Sequence, residues 1–163
     1  MRAFDQEKLP LNAGPFTLAP MNGEYASATA REAAGSDPWK RLGYGEKALH
    51  AYLTRADPSL FRASVLSRGK LMGALCVREP WLKGPYLEFI VVFEGFRGQG
   101  AGSQLVEWFD RTASGAWGRS WIMVSEFNNG ARRLYERAGY VEAARFPGLT
   151  AEGLTELLLV KSS

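Results

Sequence analysis

The chain has one cysteine, Cys76, and one histidine, His50, in 163 residues. A single cysteine allows no intramolecular disulfide, and a histidine-based metal cluster is excluded; no metal is expected. Cys76 sits in an apolar, strand-like run, where a lone thiol reads as a small buried hydrophobe. A covalent acyl-cysteine is disfavoured, because no histidine stands near it in sequence to activate the thiol. Long apolar runs are missing too: none approaches the roughly 18 residues of a membrane span. The N-terminus has no signal-peptide core. The expectation is a cytoplasmic protein with no membrane partner. Charge of one sign is also scarce, at 20 basic against 17 acidic side chains and a net +3. The basic residues are scattered, so no nucleic-acid partner is expected. No internal repeat or interdomain linker is visible.

What remains is an ordinary folded composition, 46% apolar and 23% charged, of a length that fits one domain over residues 1–163. A chain of this size buries roughly two thirds of its extended surface. Residues 1–14 are mixed and polar and read as a loose lead-in. A short strand over 16–18 follows. Asn22 then caps a helix rich in alanine and glutamate that runs to residue 34. Residues 39–45 read as a loop, and a second helix covers 45–55. Two apolar runs, 61–66 and 71–78, flank a short glycine-containing connection and predict an antiparallel hairpin. Residues 80–85 read as a turn. The run 86–93 is nearly continuous in apolar residues apart from Glu88, which predicts a central strand covered on both faces. A helix over 102–113 has Leu105, Val106, Phe109 and Ala113 on one face. A strand over 120–125, a helix over 128–138 and strands over 140–145 and 154–160 complete the order. The pattern predicts an α/β chain, with one mixed sheet and helices on both faces.

The densest signal is the junction of the strand over 86–93 with the following helix. Arg97-Gly98-Gln99-Gly100-Ala101-Gly102 turns one into the other. The first amides of a helix have no intrahelical partner, and the helix dipole favours negative charge there. Glycines let the backbone turn tightly and approach a ligand. Arg97 and Gln99 could add side-chain donors. A phosphate-bearing cofactor suits such a pocket. The loop is not a Walker loop, since no Gly-Lys-Ser/Thr follows. It also fits a dinucleotide fingerprint poorly, because Asp110 lies too close and on the helix itself.

Two linked segments resemble the GNAT superfamily, the Gcn5-related N-acetyltransferases. One is Arg97 to Gly102, which is similar to the family's Arg/Gln-x-x-Gly-x-Gly/Ala loop. The other is Asn128, Ala131, Leu134, Tyr135, Gly139 and Tyr140, which resembles Asn-x-x-Ala-x-x-Leu-Tyr-x-x-x-Gly-Phe/Tyr. The resemblance implies a central mixed, mostly antiparallel sheet flanked by helices on both faces. It implies acetyl-coenzyme A as cofactor, its diphosphate on amides from Arg97 through Ser103, that is Arg97, Gly98, Gln99, Gly100, Ala101, Gly102 and Ser103. Backbone groups of Val91, Val92 and Phe93 would pair with the pantetheine arm, and Asn128 would contact that arm. A bulge in this strand would open a cleft for thioester and amine. Tyr135 stands where the family has its general acid.

The implied reaction moves acetyl from sulfur to a neutral amine, which calls for a base and an aimed oxyanion donor near Val92. Glu88 is the base candidate, since a charge inside an apolar strand needs a reason; an outward or salt-bridged glutamate is the alternative. Glu126 is a weaker candidate, and Glu94 has a loop-surface role. Trp39, Tyr44 and Trp81, with Tyr52 and residues 146–152, are candidates for the acceptor pocket, or else core and loop anchors. The acceptor is a small-molecule or peptide amine. An N-terminal acetyltransferase of the ribosomal-protein kind and a non-catalytic acyl-coenzyme A sensor are the rivals. Oligomeric state stays open, with a homodimer among the outcomes.

Overall fold

The computed structural model describes residues 2–163; Met1, the first residue of the expected lead-in, lies outside the described residues. Eight strands form one sheet in the order β1-β2-β3-β4-β5-β6-β8-β7. They are β1 (Leu11–Ala13), β2 (Phe16–Pro20), β3 (Leu60–Ser67), β4 (Lys70–Trp81), β5 (Gly84–Val92), β6 (Arg119–Ser125), β7 (Val141–Pro147) and β8 (Thr155–Ser162). Every neighbouring pair is antiparallel except β5 with β6. The sheet is therefore mixed and mostly antiparallel.

Among the described residues five α-helices accompany it: α1 (Gly23–Ala34), α2 (Trp39–Leu42), α3 (Glu46–Thr54), α4 (Ala101–Ser114) and α5 (Asn129–Arg137). Side chains alternate across β4: Leu75 and Val77 join the core under α4, while Ala74 and Cys76 join the core under α1 and α3. Helix α4 buries the expected stripe of Leu105, Val106, Phe109 and Ala113. Helix α1 begins at Asn22, whose side chain accepts a hydrogen bond from the Tyr25 amide at 2.8 Å. Asp110 of α4 ties that helix to the sheet by accepting from Lys161 (2.9 Å) and from the Tyr140 hydroxyl.

Three expectations are corrected. The lead-in is not loose. Phe4 is buried at 3% exposure against Phe61, Trp108 and Phe109, and residues 11–13 form a strand. Its anchor is distant in sequence: Glu79 on β4 accepts from the amides of Ala3 and Phe4 (2.9 Å each). The loop over 39–45 contains a short helix, α2, which ends where Gly43 turns left-handed (φ 83°). The turn over 80–85 narrows to Leu82 and Lys83, because Trp81 pairs with Gly84. Both turn residues are left-handed (φ 42° and 60°) and lack the Asn-Gly signature that marks such hairpins.

A bulge shapes the centre of the sheet. Val77 pairs with Leu87 and Cys76 with Phe89, so Glu88 is an extra residue on β5. It puts Leu87 in the core under α4 and Phe89, two residues on, also buried, in the core under α1 and α3. Nearby, β4 approaches β5 closely. A Cβ on Gly73 would lie 2.2 Å from the Val91 carbonyl oxygen. Backbone cannot yield there without parting the strands. Gly73→Ala is expected to cost about 1–3 kcal/mol, read as a fall in thermal midpoint of about 2–4 °C per kcal/mol. An unchanged midpoint would contradict the close approach.

Candidate functional site

Strands β5 and β6 pair only at Tyr86 with Trp121 and Leu87 with Ile122. Beyond that point β5 bulges and its edge is left open. A cavity of about 1150 Å³ lies along that edge and continues to the α4 N-terminus and to α2 and α3. Hydrogen-bonding direction alternates along a strand. Phe93 donates its amide to Met72 (2.8 Å) and accepts from the Phe96 amide (2.9 Å), and the Val91 carbonyl lies against Gly73. The backbone groups of Ile90 and Val92 therefore point to the open edge. This corrects the expectation for Val91 and Phe93, whose groups are turned to β4 or used locally. Ile90 was missed, because an apolar run does not reveal which residues face a partner strand.

The open edge leads into the glycine turn. Gly98 and Gly100 have φ of 75° and 80°, which side chains rarely adopt. Gly100 is the α4 N-cap and provides no side-chain cap. Gln104 donates back to the Gly100 carbonyl (3.1 Å). The amides of Ala101, Gly102 and Ser103 have no backbone partner among the described residues and lie at the cavity wall. Gly102 also serves the packing of α4 on α5. A Cβ there would meet Leu134 at 3.1 Å, so its absence lets the two helices close up. Arg97 folds back and donates Nε to the Val92 carbonyl (2.8 Å). Gln99 is exposed on the turn between Gly98 and Gly100.

Helix α5 supplies the other wall. Asn128 caps it by accepting from the Ala131 amide (3.3 Å) and also lines the cavity. Tyr135 projects from the same helix, 6% exposed, with its ring edge-on to Tyr140 at 6.3 Å. Its hydroxyl has no hydrogen-bond partner among the described residues, and burial pushes its pKa up to about 12. It is a neutral phenol at the cavity wall, able to donate a proton.

On the α3 side, Glu88 is not a free base. Arg78 donates to both its oxygens, from Nε (2.5 Å) and Nη2 (2.9 Å), and the Tyr52 hydroxyl donates to it at 3.1 Å. Three of its acceptor positions are thus occupied. Arg78 also donates to Asp57 (3.1 Å) and Ser59 (2.8 Å). The bond from Ser59, and then Arg78, hold the Asp57 carboxyl down at about 2. Cys76 is fully buried, and burial lifts its thiol to about 12; it is no nucleophile. Glu126 accepts from Arg145 (2.9 Å) at the surface.

Trp39 and Tyr44 line the cavity, Trp39 packing on Phe89 at 5.0 Å. Trp81 does not. It stacks on Tyr86 (4.6 Å) and meets Trp121 (5.7 Å) at the closed end of the β5–β6 pair, as a structural anchor. Arg41 of α2 lies 4.3 Å over the Phe127 ring and joins that helix to the loop after β6. Polar lining residues that escaped the sequence reading include Tyr86 and Glu156. Glu156 carried the same signal as Glu88, a lone acid within an otherwise apolar strand. Among the described residues no group of acids, histidines and cysteines could hold a metal, and no helix is long and apolar enough to cross a membrane.

Comparison with solved structures shows the same fold. An acetyltransferase from Thermus thermophilus superposes with a TM-score of 0.72 at 19% identity, covering 94% of this chain and 100% of that one. Ard1 from Thermoplasma volcanium gives 0.70 at 16%, covering 91% and 98%. Arabidopsis thaliana NAA60, solved with a bisubstrate analogue, gives 0.70 at 16%, covering 91% and 99%. No curated protein matches the chain. The profile of the Acetyltransferase (GNAT) family matches residues 26–140, a span from α1 through the glycine turn to the end of the Tyr135 motif. With the split sheet, the uncapped α4 and a match over most of its length, the chain belongs to the GNAT acetyltransferase family.

Proposed function

We propose that this chain transfers an acetyl group from acetyl-coenzyme A directly to the primary amine of a small molecule or peptide. The observation that carries the reading is the open β5 edge running straight into an uncapped helix start. The residues fit the donor: unpaired amides for an anion, and strand-edge groups for an extended amide-bearing arm. Ala101, Gly102 and Ser103, with the left-handed Gly98 and Gly100, hold the diphosphate. Ile90 holds the arm by backbone pairing, since the Val92 carbonyl is already taken by Arg97. When bound, acetyl-coenzyme A supplies the thioester. The Val92 amide points where oxyanion charge develops. Tyr135 gives its phenolic proton to the departing sulfur, and Asn128 fixes the helix that presents it. Glu88, clasped by Arg78 and Tyr52, shapes the bulge rather than moving a proton.

The reading is tested by supplying acetyl-coenzyme A with a panel of primary amines and free-N-terminus peptides and following free thiol. Catalytic release with at least one acceptor class is expected. Tight coenzyme A binding with no release across the panel would point instead to an acyl-coenzyme A sensor.

A further inference from the structure

Glu156 lies near the start of β8, directly across from Ser125 of β6. It is 5% exposed, yet it lines the cavity. The neighbouring acids have cations: Glu88 and Asp57 have Arg78, and Asp110 has Lys161. Glu156 has only the Ser125 hydroxyl, which lies 2.8 and 3.1 Å from its two oxygens. No cation reaches it among the described residues. Buried carboxylates normally have a charged partner or several donors, so this one is short of a cation. Its direction follows from strand alternation. Val124 and Leu157 enter the core under α4, so Ser125 and Glu156 face the opposite side. Trp39, Tyr44, Tyr86 and Phe89 line the same cavity.

We infer that Glu156 receives the ammonium group of the acceptor amine and takes its proton, a role that rests on the acetyl-transfer reading. One N–H bond of the ammonium breaks, its electron pair stays on nitrogen, and the proton bonds to a Glu156 oxygen. The neutral amine then has the lone pair that attacks the acyl carbon, and the proton on Glu156 later passes to solvent. Burial raises the carboxyl's proton affinity, with the Ser125 bond opposing it in part. The other titratable groups lining the cavity are Asp37, Tyr44, Tyr52, Arg55, Tyr86, Glu88, Arg97, Tyr135 and Arg137. Glu88 is already matched by Arg78 and Asp37 is exposed to solvent, so Glu156 is the buried acid left for a cation. The acceptor it suits carries a protonated primary amine on an apolar or aromatic body.

Glu156→Gln keeps the shape and the Ser125 bond and removes the charge. Calorimetry on the coenzyme A complex, with benzylammonium and benzyl alcohol as probes, reads the ammonium site without turnover. The unaltered chain should prefer the ammonium by about ten-fold or more, and E156Q should lose that preference. Benzylamine acetylation, read as free thiol, should fall about a hundred-fold in E156Q near pH 7. The deficit should shrink towards about pH 10, where solution supplies the neutral amine. Coenzyme A affinity should match in both proteins. Absence of coenzyme A binding in both sinks the acetyl-transfer reading. Coenzyme A binding with no ammonium preference in the unaltered chain, or a deficit that ignores pH, overturns the Glu156 role alone. Should E156Q melt early, Ser125→Ala keeps the carboxylate and should keep the preference; its loss there would equally overturn the role.

Discussion

Tyr135→Phe lowers acetyl-transfer turnover about a thousand-fold while leaving coenzyme A affinity within about two-fold. The substitution deletes one hydroxyl that makes no hydrogen bond among the described residues, and the ring that packs on Tyr140 is kept. On the proposed reading, what is lost is the proton for the departing sulfur. On the same reading, binding energy resides in the α4 amides and the β5 edge, which would split turnover from affinity. The sign of the pH effect follows from burial. Raising the phenol to about 12 keeps its proton in place throughout the range where amines become neutral. The unaltered chain should therefore show no alkaline fall in rate from this group below that value. Stopped-flow thiol release and calorimetry on both proteins give the two numbers. Equal turnover would remove Tyr135 from the acid role.

Glu79→Ala destabilises the fold by about 3 kcal/mol. Glu79 is 2% exposed and collects three donors: the amides of Ala3 and Phe4 and the Trp117 indole, the last at 2.6 Å. Hydrogen bonds to a charged acceptor contribute about 1.5–3 kcal/mol each, more than a neutral pair. The loss is less than their sum, because the N-terminal segment can peel off and rehydrate its two amides. Peeling exposes Phe4, which packs among Phe61, Trp108 and Phe109. The thermal midpoint should fall by roughly 6–12 °C, and trypsin should gain access to Lys8. Glu79→Gln, which keeps one carbonyl acceptor, should lose about half as much. A midpoint unmoved by either change would show that Glu79 is not the clasp.

The elements that build the cofactor side were legible in the sequence because their signals are local. A run of apolar residues, a glycine turn and a 3.6-residue stripe marked β5, the loop and α4, and Asn128 with Gly139 bounded α5. The acceptor side was less legible because its determinants are long-range. Glu88 reads alone as a lone acid in a strand; only the pairing of Cys76 with Phe89 shows that it is the bulge, and only Arg78 and Tyr52 show that it is occupied. The order of the N-terminal segment depends on Glu79, 75 residues beyond Phe4. The Leu82-Lys83 turn hides because neither residue is a usual left-handed one. Helix α2 is a single turn, too short for periodicity to register. Val91 and Val92 look alike in sequence, and only strand pairing tells which presents its backbone to the cleft.

The proposed grip of the α4 amides on a diphosphate is most directly tested by titrating the chain with acetyl-coenzyme A and with S-acetyl-pantetheine, which shares the thioester arm but carries no phosphate. One-to-one association with acetyl-coenzyme A is expected, with the pantetheine about a hundred-fold weaker or more, the effect of losing a few charge-assisted hydrogen bonds. Equal affinity for the two, or no heat with either, would contradict it.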